Sequence, residues 1–232
     1  MGGLSAYSAL AATLGLWSAL MFGFGKAAPF DRDATLRRAE DFRGRKKPKK
    51  AIAELRKLLA VDPSDAAAHA KLGPLLISAG HATQALESFR IAADDLDARG
   101  FADRALSLWL QIAQTRVSDL DAWGKVTQFH LTRGRKADGV KVLLQAASLQ
   151  RGKEGRPRAV RLLEDALLVV PQQLEATCAL APLLVKEGRG PEARTLLEGA
   201  LTFTSGPDVR RVRLQLFVLF PGFKTFWRWV RS

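Results

Sequence analysis

Apolar residues recur at helical spacing along most of the chain. In residues 50–61, Ile52, Leu55, Leu58 and Leu59 fall three or four apart, predicting a helix that stops before Asp62 and Pro63. Ser64 and Asp65 can cap a second helix that runs to about Ala79 and closes at Gly80. A third covers residues 82–99 and closes at Gly100. Strand-like alternation is nearly absent, so the predicted fold class is all-α.

The pattern then repeats. A shift of 54 residues superposes Ala51 on Ala105 and Ala159, and Ala68 on Ala122 and Ala176. It also superposes Gly80 on Gly134 and Gly188, and Ala92 on Ala146 and Ala200. Three units result, near 47–100, 101–154 and 155–207, each read as three helices. Short connections make neighbouring helices antiparallel, so the units are expected to stack into an α-solenoid. Pro74 and Pro182 share one position and lie inside predicted helices, where each removes a backbone hydrogen bond and should kink its helix.

These helices resemble the tetratricopeptide repeat (TPR), a 34-residue helix-turn-helix. In the first unit the family's pattern falls on His69, Leu72, Gly73, Leu76, Gly80, Ala85, Phe89 and Ala92. The second supplies Trp123, Val126, His130, Gly134, Leu143 and Ala146, with Gly139 where alanine is expected. The third supplies Leu180, Ala181, Leu184, Gly188, Ala193, Leu197 and Ala200, with Thr177 replacing the aromatic. Residues 33–43 look like the first helix of a shortened extra repeat. Each 54-residue unit departs from the family by one additional helix. The resemblance implies a protein-binding surface in a groove lined by first helices, with Lys71, Lys125, Gln128 and Lys186 as candidate positions. It does not reproduce the family's Lys/Asn carboxylate clamp.

The N-terminus breaks the helical-repeat pattern. Residues 4–24 carry no charged side chain and, as a helix, would extend about 31 Å, against a hydrocarbon core of about 30 Å. This predicts a transmembrane anchor over 1–26, with Ala11, Gly15, Ala19 and Gly23 forming a small-residue helix-packing face. Ten Lys/Arg against four Asp/Glu follow in residues 26–50, the basic juxtamembrane segment with its short helix being 27–46. The positive-inside rule then puts the N-terminus outside and the repeats, 47–207, in the cytoplasm. Anchor followed by repeats looks like bacterial inner-membrane TPR proteins.

Charge sharpens this picture. The chain carries a formal net charge of +13, and the excess gathers at its two ends. Residues 208–232 interleave Phe223, Phe226, Trp227 and Trp229 with Lys224, Arg228 and Arg231, which suits a membrane-interface tail meeting anionic headgroups. A helix capping the last repeat and stacking on a nucleic acid are the other readings of this tail. A basic stripe along the folded domain is missing, so no nucleic-acid partner is expected.

Candidate chemistry is sparse. His69, His81 and His130 have no metal-ligand spacing, Cys178 is the only cysteine, and no phosphate-cradling loop occurs. No catalytic residue, cofactor, metal or small-molecule substrate is expected. The function expected is a non-catalytic, membrane-anchored scaffold or assembly factor that binds an integral membrane complex. The alternative is a periplasmic or secreted TPR module released by signal-peptide cleavage.

Overall fold

The computed structural model describes residues 30–221, and the chain falls into two compact units, Met1–Pro63 and Ser64–Ser232. Among the described residues the regular elements are eleven α-helices.

The first unit holds a helical hairpin, α1 (Arg32–Gly44) and α2 (Pro48–Val61). The Asp31 side chain caps α1 by accepting from the Ala34 backbone N at 2.8 Å. Pro48 begins α2 at a position that needs no backbone donor. Glu54 is almost buried at 11% side-chain exposure, where it meets Lys57 at 2.6 Å and Arg38 at 3.7 Å.

The second unit is a sequential stack. It comprises α3 (Ala66–Ser78), α4 (Ala82–Ala98), α5 (Ala102–Thr115), α6 (Leu120–Thr132) and α7 (Lys136–Leu149). Then come α8 (Gly152–Val169), α9 (Leu174–Lys186), α10 (Gly190–Ala200) and α11 (Pro207–Leu219). Each helix packs chiefly on its chain neighbours, and α11 packs on both α9 and α10. The short connections make consecutive helices antiparallel. The result is an all-α, solenoid-like stack of helical hairpins.

The repeat columns are the packing columns. Ala105, Ala122 and Ala176 are fully buried, as are Ala68 and Ala146, with Ala92 and Ala200 at 1% exposure. A side chain no larger than methyl lets neighbouring helices approach there. Asp65 and Asp119, 54 residues apart, each cap a helix, accepting from Ala68 N at 2.9 Å and Ala122 N at 3.2 Å. Gln173 holds the third such position and makes no side-chain cap. At Gly139, where alanine is expected, a Cβ would lie 2.9 Å from Leu131 Cδ2 and that side chain would have to shift. Helices α3 and α9 run unbroken through Pro74 and Pro182.

Gly80, Gly134 and Gly188 have φ of 79°, 71° and 79° and close their helices in one geometry. After each, the next backbone N–H reaches back five residues, as from Arg135 to His130 O at 3.0 Å. Gly134→Ala should therefore cost about 1 kcal/mol in urea unfolding through left-handed strain alone. Gly199→Ala, inside α10 with open space around its Cβ, should be neutral or mildly stabilising. Equal losses at both positions would contradict this account.

One expectation is corrected. The chain was expected to be a single-pass membrane protein with its N-terminus outside and its repeats cytoplasmic. No helix among the described residues is long and apolar enough to cross a membrane. The longest, α8, has 18 residues but carries Lys153, Glu154, Arg156, Arg158, Arg161, Glu164 and Asp165. The expected anchor face (Ala11, Gly15, Ala19, Gly23) lies outside the described residues. So do Phe223, Lys224, Phe226, Trp227, Arg228, Trp229 and Arg231 of the expected tail. Residues 207–219, where that tail begins, form α11, with Val212 and Leu216 buried.

Candidate functional site

Helix α8 separates two opposed faces of the stack. Gly152, Arg156, Ala159 and Leu163 follow helical spacing and line a groove of about 550 Å³ with residues of α7 and α9. Arg161, Leu162 and Asp165 line another, of about 580 Å³, with α6 and Leu143 of α7. Arg161 is two residues from both Ala159 and Leu163, roughly 200° around the helix. The two grooves therefore open on opposite sides. A third groove, about 320 Å³, lies between α4 and α6 over α5 and shares Lys125 and Gln128 with the second.

The α4–α6–α8 face is organised by an aspartate that does two jobs. Asp119 caps α6, and its other oxygen accepts from Arg90 of α4, whose guanidinium also reaches Asp121 at 3.0 Å. The hydrogen bond that Arg90 donates to Asp119 is the main cause that raises the Arg90 pKa, desolvation opposing it. Arg90 also stands over the Trp109 ring, as does Lys125, at 5.9 and 5.4 Å from its centroid. Trp109 Nε1 donates to Asp97 Oδ2 at 2.9 Å. Lys125 is thereby placed on a buried aromatic floor at the edge of both grooves on this face. Beside them, Arg133 lies 3.8 Å over Phe129 and grips Asp103 with both nitrogens, at 2.8 and 3.0 Å. That hydrogen bond leads the causes holding the exposed Asp103 carboxyl below its ordinary range.

The four groove candidates from sequence do not form one site. Lys125 and Gln128 lie together on the α4–α6–α8 face, both exposed. Lys186 lines the groove on the other side. Lys71, half-buried on α3, lines none of the three grooves. The reason is the odd number of helices in the repeat. In an alternating stack, equivalent helices of successive units fall in opposite layers. Lys125 and Ala179 are repeat equivalents, as are Phe129 and Leu183, and Thr132 and Lys186; each pair lines grooves on opposite faces. Sequence reasoning missed Arg90, Trp109, Asp119 and Arg161. Asp119 alone carried a signal, as the repeat equivalent of the cap Asp65.

Among the described residues no group of three His, Cys, Asp or Glu side chains could hold a metal ion. His69 is buried at 8% exposure, and His130 packs edge-on to Phe129 with ring centroids 5.4 Å apart. Burial raises the Cys178 thiol pKa, only partly offset by Arg211. Its backbone carbonyl accepts from Gln215 Nε2 of α11 at 2.8 Å. At neutral pH, iodoacetamide should therefore label Cys178 much more slowly in the native chain than in denaturant. Equal rates would mean an exposed thiolate.

No family model matches the chain, and no curated protein matches it. Among solved structures it is similar to the assembly chaperone of RpL4 (Acl4), at 15% identity and TM-score 0.37, over 82% of this chain and 83% of that one. It is similar to MamA protein at 14% identity and TM-score 0.31, over 82% and 95%. It is also similar to YrrB, described as a TPR protein with an unusual peptide-binding site. There the identity is 12% and the TM-score 0.30, over 87% and 93% of the two chains. The solved structures it resembles thus include TPR proteins.

Proposed function

We propose that the chain is a non-catalytic protein-interaction scaffold that holds extended segments of partner proteins in the grooves of its helical stack. The observation that carries this reading is the pair of open grooves on opposite sides of α8. Each combines a buried apolar floor with exposed charged side chains. Their volumes lie in the range of about 300–1,000 Å³ usual for ligand sites. Consecutive packed helices form the groove walls, so little ordering entropy is lost on binding.

Lys125 and Gln128 are the residues through which a partner would be met on the α4–α6–α8 face. A photo-crosslinking amino acid in place of Gln128 should give a discrete protein adduct when the full chain is irradiated in its own extract. The same group at Glu87, exposed on α4 and outside the grooves, should not. Lys125→Glu should reduce the Gln128 adduct several-fold. Indistinguishable adducts from Gln128 and Glu87, or none, would overturn the proposal.

A further inference from the structure

The groove between α7 and α9 differs in charge from those on the opposite face. Lys153, Arg156 and Lys186 line it, and no Asp or Glu does. On the other face, Lys125 and Arg161 are matched by Asp121 and Asp165, and in the smaller groove Asp97 answers Lys125. Among the described residues, the side chains of Lys153 and Lys186 are both exposed and meet no carboxylate. Arg156 is held at the wall, its Nη1 3.3 Å from both Glu187 Oε1 and the Lys186 carbonyl. Beneath the two ammonium groups the floor is apolar, built from Ala147, Ala159 and Leu163, all buried, with Leu183 half-buried.

We propose that this groove takes an acidic, extended segment of a partner protein. Its carboxylates meet Lys153 and Lys186, and its apolar side chains rest on Ala159, Leu163 and Leu183. The inference rests on the scaffold reading and adds the chemistry of one partner. Charge complementarity selects the occupant, since this is the one of the three grooves whose lining charge is unbalanced. The floor argues against a nucleic acid, because single strands need aromatic rings to stack on and none lines this groove. The net charge of +13 would also speed the approach of an anionic segment.

The test is fluorescence anisotropy of the full chain with a labelled ten-residue peptide of Glu and Leu. A Glu/Ser peptide of equal charge and a Lys/Leu peptide serve as comparisons. The Glu/Leu peptide should bind most tightly and weaken as salt rises. Lys153→Glu with Lys186→Glu should weaken it on the order of ten-fold, and the paired Gln variants by less. Arg161→Glu, on the opposite face, should leave the affinity within about two-fold, since exposed charges beyond a Debye length are screened. Thermal melts of every variant should match the parent, because all three side chains are exposed. Affinity unchanged in the Lys153/Lys186 variants, or equally reduced by Arg161→Glu, would overturn the proposal. If the peptide fails to bind while the Gln128 adduct persists, the charge assignment of this groove falls alone. If both fail, the scaffold reading falls with it.

Discussion

Trp123→Ala should lower the stability of the second unit by about 3–5 kcal/mol, the usual cost of emptying a large aromatic site in a core. Trp123 is 0% exposed and heads the largest fully buried side chains. It stands in α6 on the buried face, on the same helix as the exposed groove residues Lys125 and Gln128. Its Nε1–H donates to the Val117 carbonyl at 3.2 Å, tying α6 to the turn that precedes it. Alanine would both open a cavity and remove one of the two donors to that carbonyl, which also accepts from Gln150 Nε2 at 2.5 Å. Trp123→Phe should recover most of the packing and retain a loss of about 1 kcal/mol from the missing donor. Urea unfolding followed by circular dichroism would read both. A loss below about 1 kcal/mol for Trp123→Ala would mean that α6 is not a core helix. Because each helix leans on its chain neighbours, a biphasic transition in this variant would show the stack parting at α6.

Gly73→Ala should cost about 1–3 kcal/mol although it adds only a methyl group. A Cβ at this position would lie 2.2 Å from Phe89 Cε1 and 2.6 Å from Cδ1. Phe89 is 2% exposed, so its ring has no open space to retreat into. The glycine is thus the seat of the Phe89 ring where α3 meets α4. Its backbone is helical, and flexibility plays no part in the argument. Phe89→Leu should also destabilise by itself, through lost volume. The double variant should lose less than the sum of the two, because leucine vacates the space the methyl needs. Strictly additive losses would show that the two sites do not interact.

The alternation between legible and hidden features follows the range of the interactions. Gly80, Gly134 and Gly188 could be read in advance because a helix end is decided within five residues of itself. The buried alanine columns were equally plain, since one packing solution recurs at one spacing. Arg90 was not readable. Its partners Asp119 and Asp121 lie 29 and 31 residues away and come into reach only when α4 and α6 flank α5. The groove candidates lie apart for a subtler reason. Superposing units by sequence put Lys71 and Lys125 in one column, as though every unit faced the same way. The column is real as a position on a helix and misleading as a position in space. Lys153 and Arg156 carried no motif at all. They matter because helical spacing carries them around α8 onto the side that faces Lys186.

An odd count of helices per unit also constrains how such a chain can lengthen. Pure translation along the stack returns an identical surface only after six helices, or 108 residues. One 54-residue step is closer to a glide, carrying each side chain forward and across to the other side. Adding a single unit would therefore extend neither existing surface in register, whereas adding two would extend both. A lineage that grew by single-unit duplication would alternate which side its newest residues decorate. Selection for a longer binding surface on one side would favour gains in pairs.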